Sequence, residues 1–334
     1  MKAVVCVPGG TEVAEVPDPE AGRDGVVVEV AACGLCGSDV HAIERGWTTE
    51  GQILGHEFGG RVVEVGAGVT GWRVGQAVAV NPLGSCGSCR DCRRGLPFRC
   101  ALPNLGLSAP GGYAEYAAVP AAQLLALPDG VPLELGAHAE PLAVALHAVD
   151  LAGLGADDAA LVFGVGTIGL NCVMALKAAG VGLVVGAGRS AGRRAAARAA
   201  GADVVLDTRE TSVARYVADT GRPFDAVLEC SAAPGAVAES MAVLGSGGVC
   251  VVVALSEETA ALPLLPLVGA EQHVVGSCAF GHPQFAAALD AVVTGRVPAG
   301  DLISERVGLA DTPDALVRLR NPGRLVRVLT LPGA

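Results

Sequence analysis

Apolar and polar positions follow two different rhythms along the chain. Through the first 150 residues, short Val-rich runs such as "GVVVEVAACG", "GGRVVEVGAG" and "GQAVAVNPL" are separated by Gly, Pro and Asn turns. Short strands bounded by turn residues predict an irregular, β-rich domain of barrel-like or mixed character. From about residue 150 the apolar runs become continuous. "AALVFGV" is followed by a helical run "GLNCVMALKAAG", a second strand "VGLVVGAG" and a helix over "SAGRRAAARAAGA". "DVVLD", "DAVLEC" and "GVCVVVAL" extend the series, with helical stretches between them. Buried strands alternating with amphipathic helices predict a doubly wound parallel sheet, an α/β fold. The tail returns to mixed character. One domain is therefore expected over 150–272, and the other from both ends of the chain, 1–149 and 273–334. A length of 334 residues, past the size at which one core keeps growing, agrees with two domains.

Composition narrows the partners. Half the residues are hydrophobic (51%) and 17% are charged, as in a globular protein, and 47 Gly with 20 Pro fit a chain of many turns. No apolar run reaches a membrane span, and the N-terminal "MKAVVCVPGGTEVAEV" alternates like a strand rather than a signal peptide. A net charge of −11 disfavours nucleic acid and anionic membranes as partners. A cytoplasmic, reducing location is expected, where disulfides are uncommon.

That expectation bears on "CGSCRDCRRGLPFRC", residues 86–100, which holds four of the eleven cysteines as C-x2-C-x2-C-x7-C. Two-residue gaps let successive thiolates turn towards one point, and a structural zinc takes four sulfurs in a tetrahedron. An iron–sulfur cluster uses similar spacing. Three cysteines this close cannot all pair as unstrained disulfides. Arg90, Arg93, Arg94 and Arg99 stand among the sulfurs and would offset the negative charge of a zinc tetrathiolate. Cys86, Cys89, Cys92 and Cys100 are thus expected to form a closed, structural zinc lobe.

Other segments carry ligand-type residues that are individually weak signals. "CGLCGSDVHAIERG" offers Cys36, Ser38, Asp39 and His41; "ILGHEFGG" offers His56 and Glu57; "HAEPLAVALHAV" offers Glu140, with His138 and His147 nearby. "LVFGVGTIGL" sets Gly164, Gly166 and Gly169 as G-x-G-x-x-G between a strand and a helix, the arrangement that brings a pyrophosphate to a helix N-terminus.

Taken in order, "CGLCGSDVH", "GHEFGG", the four-cysteine lobe, "GGYAEY", "EPLAVALHAV" and "GVGTIG" run through nearly the whole chain. The sequence resembles the zinc-dependent medium-chain dehydrogenase/reductases, particularly the sorbitol/threonine-dehydrogenase-like branch. The resemblance implies a Rossmann dinucleotide-binding domain and a β-rich, GroES-like catalytic domain bearing the lobe. It implies that Cys36, His56 and Glu140 bind a catalytic zinc, with Glu57 an adjacent or alternating ligand. One thiolate and one carboxylate balance the dication and leave a position open. Where alcohol dehydrogenases proper usually place a cysteine as third ligand, this chain has "EPL", the pattern of the polyol branch. By the same resemblance Ser38 takes the substrate hydroxyl proton and His41 passes it towards solvent. A hydroxyl both donates and accepts, and imidazole titrates near working pH. Asp39 is expected to orient a zinc ligand from behind. Cys6, Cys33, Cys172, Cys230, Cys250 and Cys278 lack ligand spacing and read as buried thiols, while Trp47, Leu107 and Phe280 are expected near the substrate.

Gly164, Gly166, Thr167, Ile168 and Gly169 form the expected pyrophosphate turn. The family's ribose-binding acid, at the end of the next strand, maps onto Gly188, so no carboxylate repels a 2′-phosphate there. Arg189 follows, with Ser190 and Arg193 at the helix start, and guanidinium matches phosphate bidentately. NADP(H) is therefore expected over NAD(H). The expected function is that of an alcohol dehydrogenase or carbonyl reductase with one catalytic and one structural zinc per chain, acting on a small primary or secondary alcohol or its carbonyl. An NAD-dependent polyol, sugar or aminocyclitol dehydrogenase is the alternative within the same chemistry. A non-catalytic zinc and nucleotide-binding relative, or a zinc-free quinone-reductase type, has no use for the Cys36/His56/Glu140 set. The family implies a homodimer or homotetramer.

Overall fold

The structure, a computed structural model, describes residues 1–257, 259–321 and 323–334. It divides into two compact units, one of Met1–Glu140 with Phe280–Ala334 and one of Pro141–Ala279. In chain order the first unit begins with an antiparallel pair, β1 (Lys2–Val7) and β2 (Gly10–Glu15). Then come β3 (Gly25–Gly34), α1 (Gly37–Glu44), β4 (Glu57–Val65), β5 (Ala77–Val80), the single turn α2 (Arg90–Arg93), β6 (Tyr116–Pro120) and β7 (Leu124–Ala126). β3 pairs antiparallel with both β4 and β6. Its "GVVVEVAACG" places Val26, Val28 and Val30 in a core shared with Phe58 and Tyr113. A 3-10 stretch, Leu133–His138, leads into α3 (Ala139–Ala152).

The second unit alternates as the apolar rhythm requires: β8 (Ala159–Phe163), α4 (Thr167–Ala178), β9 (Leu183–Gly188), α5 (Ala191–Ala199), β10 (Val204–Asp207), α6 (Val213–Thr220), β11 (Phe224–Glu229), α7 (Ala236–Ala242), β12 (Leu244–Val252), α8 (Leu264–Gly269) and β13 (His273–Gly276). Its six strands pair in parallel in the order β10-β9-β8-β11-β12-β13. β8 is buried throughout, which explains why its sequence is apolar without alternation. Strand order reverses beside β8, the switch point at which doubly wound sheets bind dinucleotides.

Both borders of the expected 150–272 domain move outward. β13, at 273–276, is the sixth strand of the parallel sheet; as a four-residue, largely exposed edge beginning with His273, it lacks the continuous apolar signature. At the other border, Ala145, Ala148 and Ala152 of α3 pack with Val162, Val173 and Val184, so the helix body belongs to the nucleotide unit. The chain returns to the first unit through α9 (His282–Val293), β14 (Ile303–Gly308), α10 (Thr312–Arg318) and β15 (Arg327–Leu331). The seven-stranded sheet runs β14-β15-β3-β4-β5-β7, with β6 also on β3. Pairing of Leu329 with Gly34 and Thr330 with Cys33 brings the last strand beside the segment that leads to Cys36. Among the described residues no helix is long and apolar enough to cross a membrane.

Candidate active site and metal centres

The lobe is built locally. Cys89 caps α2 and its Sγ accepts the Cys92 N–H at 3.4 Å, while the Cys89 N–H donates to Cys86 Sγ at 3.3 Å. A 3-10 turn over Pro97–Arg99 then delivers Cys100. The four Sγ atoms lie within 4.8 Å of one another, with Cys86 and Cys92 4.0 Å apart, and all four cysteines are free. Zinc–sulfur bonds of about 2.3 Å in a tetrahedron give sulfur–sulfur edges of about 3.8 Å, so the cluster fits zinc with little movement. The Ser88 hydroxyl and backbone N–H pull the Cys86 thiol down to about 6, and the Ser85 hydroxyl lowers Cys92. Cys89 moves the other way, up to about 11, so the lobe favours the thiolate at Cys86 and Cys92 and the thiol at Cys89.

The second cluster draws on distant segments. Cys36 is the extended residue that opens α1, whose first turns carry Ser38, Asp39 and His41. His56 follows Gly55, where φ is +91° and an added Cβ would stand 2.7 Å from the Tyr113 ring; only glycine admits both. Cys36, His56 and Glu57 each bring a ligand atom within 4.8 Å of the others. Ser38 donates its hydroxyl to Cys36 Sγ at 3.1 Å. His56 Nδ1 faces Asp39 Oδ1 at 3.3 Å, an ion-pair contact rather than an aligned hydrogen bond, and neither atom has a hydrogen-bond partner. Burial opposes charging of His56, but Asp39 and Cys36 outweigh it and hold its pKa well above the ordinary imidazole value. With Nδ1 turned to Asp39, Nε2 is left for Cys36 and a metal.

Two carboxylates complete the surroundings in different ways. Glu57 is paired with Arg327 from β15, a fully buried arginine whose Nη2 also donates to the Ala137 carbonyl at 2.8 Å. Glu140, in the first turn of α3, stands outside the 4.8 Å set. It is 7% exposed, makes no hydrogen bond among the described residues, and is pushed up to about 8, chiefly by burial. A buried carboxyl with no donor beside a thiol, an imidazole and a second carboxylate is an arrangement that a dication relieves. The residues present therefore fit zinc: Cys36 and His56 with carboxylate from Glu57 or Glu140. His138 is wholly buried, neither ring nitrogen has a hydrogen-bond partner among the described residues, and burial and Arg327 hold it well below the ordinary imidazole value.

His41 lies three residues from Ser38 on α1, its ring 5.1 Å from that of Trp47 in an edge contact. Trp47 and Leu107 line a groove of about 460 Å³ with Gln52 and Ile53. Phe280 lies elsewhere: it is 1% exposed, stacks on Phe285 and borders a separate cavity with Asn81, Gln123 and Cys86 of the lobe. Of the six remaining cysteines, Cys278 is exposed and Cys230 half-buried, because both sit past strand ends; the other four are buried.

In the nucleotide unit the glycine turn lies between β8 and α4, with Gly166 capping the helix that begins at Thr167 and Ile168. Gly164 has φ +101°, and an added Cβ would meet Ser231 backbone atoms at 2.7 Å, beyond the end of β11. Gly169 lies so close to the Gly164 carbonyl that no Cβ fits between them. β9 ends at Gly188; Ser190 caps α5 and accepts the Arg193 N–H at 3.5 Å. The Arg193 guanidinium reaches within 3.7 Å of where a Gly166 Cβ would stand, and Arg189 is exposed.

Three residues had no role in the sequence reading. Asp207, at the end of β10, is in register with Gly188, but its carboxylate is held by Arg194 and Arg209, each at 2.7 Å. An acid ending "DVVLD" was the available signal. Arg327 was marked by a charge inside the apolar "RLVRVLTL". Tyr113 stood inside the quoted "GGYAEY" without a function; its hydroxyl lies 2.5 Å from Asp39 Oδ2 and 3.1 Å from the Gly34 carbonyl.

Comparison with known proteins places this architecture in a family. The profile described as alcohol dehydrogenase GroES-like domain matches residues 22–129, and that described as zinc-binding dehydrogenase matches residues 167–294. Sorbitol dehydrogenase from Bombyx mori is 32% identical over 327 residues, covering 94% of this chain and 93% of that protein. A chain from Sinorhizobium meliloti 1021, named for a zinc-binding dehydrogenase and bound to NADP, superposes with a TM-score of 0.93 at 33% identity, over 99% of both chains. A chain from Escherichia coli CFT073, described as a short chain alcohol dehydrogenase (rspB) complexed with NADH, gives 0.93 at 29% identity, again over 99% of both. The chain belongs to the zinc-dependent medium-chain dehydrogenase/reductases, the family of zinc-binding alcohol and polyol dehydrogenases. It is an oxidoreductase acting on CH–OH groups.

Proposed function

We propose that the protein is an NADP(H)-dependent alcohol dehydrogenase or carbonyl reductase, with a catalytic zinc held by Cys36, His56 and Glu140, Glu57 as the adjacent ligand, and a structural zinc in the lobe. When bound, the catalytic zinc supplies a Lewis acid for the substrate oxygen. Ser38, whose hydroxyl already touches the sulfur of Cys36, holds the proton of the substrate hydroxyl. His41, on the same face of α1, relays that proton; the nicotinamide, when bound, would supply or accept the hydride. Asp39 keeps the His56 ring turned so that Nε2 is free for the metal.

One observation carries the cofactor choice: the end of β9 carries no acid, and the neighbouring acid is neutralised. Gly188 offers no carboxylate, and Asp207 beside it is occupied by Arg194 and Arg209. Arg189, exposed just past Gly188, and Arg193 in the first turn of α5 are the guanidinium groups that would meet a 2′-phosphate. Titration with NADPH and NADH, followed by nicotinamide fluorescence, is expected to favour NADPH. Arg189→Ala should reduce that preference about 10-fold or more, the worth of one charge-assisted bond. Equal or better NADH binding would favour the second reading, an NAD-dependent polyol, sugar or aminocyclitol dehydrogenase, which the NADH-bound relative keeps in view.

The substrate is a small alcohol or carbonyl, neither nucleic acid nor membrane. A cytoplasmic setting is proposed, a reducing compartment in which thiolates stay available to zinc. A homodimer or homotetramer is supported by edge strand β13, where Val274 is exposed, together with Leu264, Leu265 and Val268 of α8, exposed at 68, 85 and 73%. Sedimentation at two protein concentrations tests it.

A further inference from the structure

We propose that Tyr113 is a positioning residue for the catalytic metal, acting through Asp39 on His56. The inference rests on the zinc site proposed above. Tyr113 is wholly buried and its hydroxyl lies 2.5 Å from Asp39 Oδ2, while the other oxygen of Asp39 faces His56 Nδ1 at 3.3 Å. Asp39 is 1% exposed, and Tyr113 is its only hydrogen-bond donor through the side chain among the described residues. A buried carboxylate held at one oxygen presents the other in a fixed direction; without that donor it is free to turn away.

The same tyrosine touches the segments that deliver Cys36 and His56. Its hydroxyl also lies 3.1 Å from the Gly34 carbonyl, two residues before Cys36. Its ring fills the space beside Gly55, the residue before His56, and its backbone N–H donates to the Leu54 carbonyl at 3.1 Å. Tyr113 thus ties the Cys36 segment to the His56 segment and, through one hydroxyl, sets which nitrogen of His56 faces the metal. Groups standing behind a metal ligand typically contribute 10–100-fold to metal affinity.

The test compares zinc release from the zinc-loaded full chain with that from Tyr113→Phe, Asp39→Asn and the double variant, using a chromophoric chelator. Nitrogen-15 NMR of the zinc-loaded protein reads the His56 ring. Tyr113→Phe is expected to release one of its two zincs about 10-fold faster than wild type, with lobe zinc release unchanged and the His56 nitrogen shifts moved. The double variant should release zinc no faster than Asp39→Asn alone, because both remove the same relay. Wild-type release rates with unmoved His56 shifts, or additive effects in the double variant, overturn the relay. Should Tyr113→Phe fail to fold, Asp39→Asn with wild-type release and unmoved His56 shifts overturns it equally. A wild-type chain that binds a single zinc overturns the proposed function itself, a result distinct from failure of the relay.

Discussion

The lobe and the Cys36 cluster differ in how far the chain must travel to build them. The lobe takes its four sulfurs from residues 86–100, leaves them exposed or half-buried, and supports them with its own serines and backbone N–H groups. The Cys36 cluster combines sulfur, imidazole and carboxylate from separate segments, buries His56 and Glu57 almost completely, and braces Glu57 with an arginine 270 residues away. Four thiolates of one kind satisfy a metal and leave no position for a substrate. A mixed, incompletely filled set leaves one, but its buried charges need partners that only a completed fold supplies. Closure suits stability, and openness suits chemistry.

Removing one sulfur from each site is expected to break the comparison most sharply. Cys36→Ser should lower zinc from two to one per chain and cut activity by about 10³-fold or more, with the fold retained. Cys100→Ser should also cost one zinc, but appear first as a lowered melting temperature. Metal analysis beside thermal unfolding separates the two, and equal losses of activity and stability from both would erase the distinction.

Within the open site, Ser38→Ala should leave both zincs in place and lower kcat/KM about 10²-fold, the usual contribution of a positioned proton carrier. Loss of zinc in this variant would make Ser38 a support for Cys36 rather than a proton holder.

The smallest effect concerns remote bracing. Glu134, at the start of the stretch leading to Glu140, bonds Arg306 of β14 at 2.7 and 2.8 Å. The hydrogen bond from Arg306 holds Glu134 below the ordinary carboxylate value. A carboxylate depressed on folding contributes fully above its unfolded pKa and loses that contribution as pH falls through the folded value. Glu134→Gln should therefore cost under about 1 kcal/mol near neutrality and progressively less in acid, read by denaturation at both conditions. A cost that grows on acidification would reverse this sign.

What was legible in the sequence is what depends on short separations. The C-x2-C-x2-C-x7-C spacing brings Cys86, Cys89, Cys92 and Cys100 together by itself, because two-residue turns leave a chain few other directions. The continuous apolar runs of β8, β11 and β12 announced a sheet covered on both faces. The G-x-G-x-x-G turn could be placed between a strand and a helix because its glycines are demanded locally, by a positive φ at Gly164 and by close approach at Gly169. β13 escaped because an exposed edge strand carries no such pattern.

Tertiary structure alone decided the partnerships. Nothing in "RLVRVLTL" says that Arg327 meets Glu57, nor does "GGYAEY" say that Tyr113 reaches Asp39, 74 residues earlier. Nor does "DVVLD" say that Asp207 lies in register with Gly188 and is closed on by Arg194 and Arg209. Residue type and spacing fix local backbone geometry, but they do not fix which distant charges share a buried space. There, desolvation makes each charge dependent on its neighbour, and only the assembled sheets determine who that neighbour is.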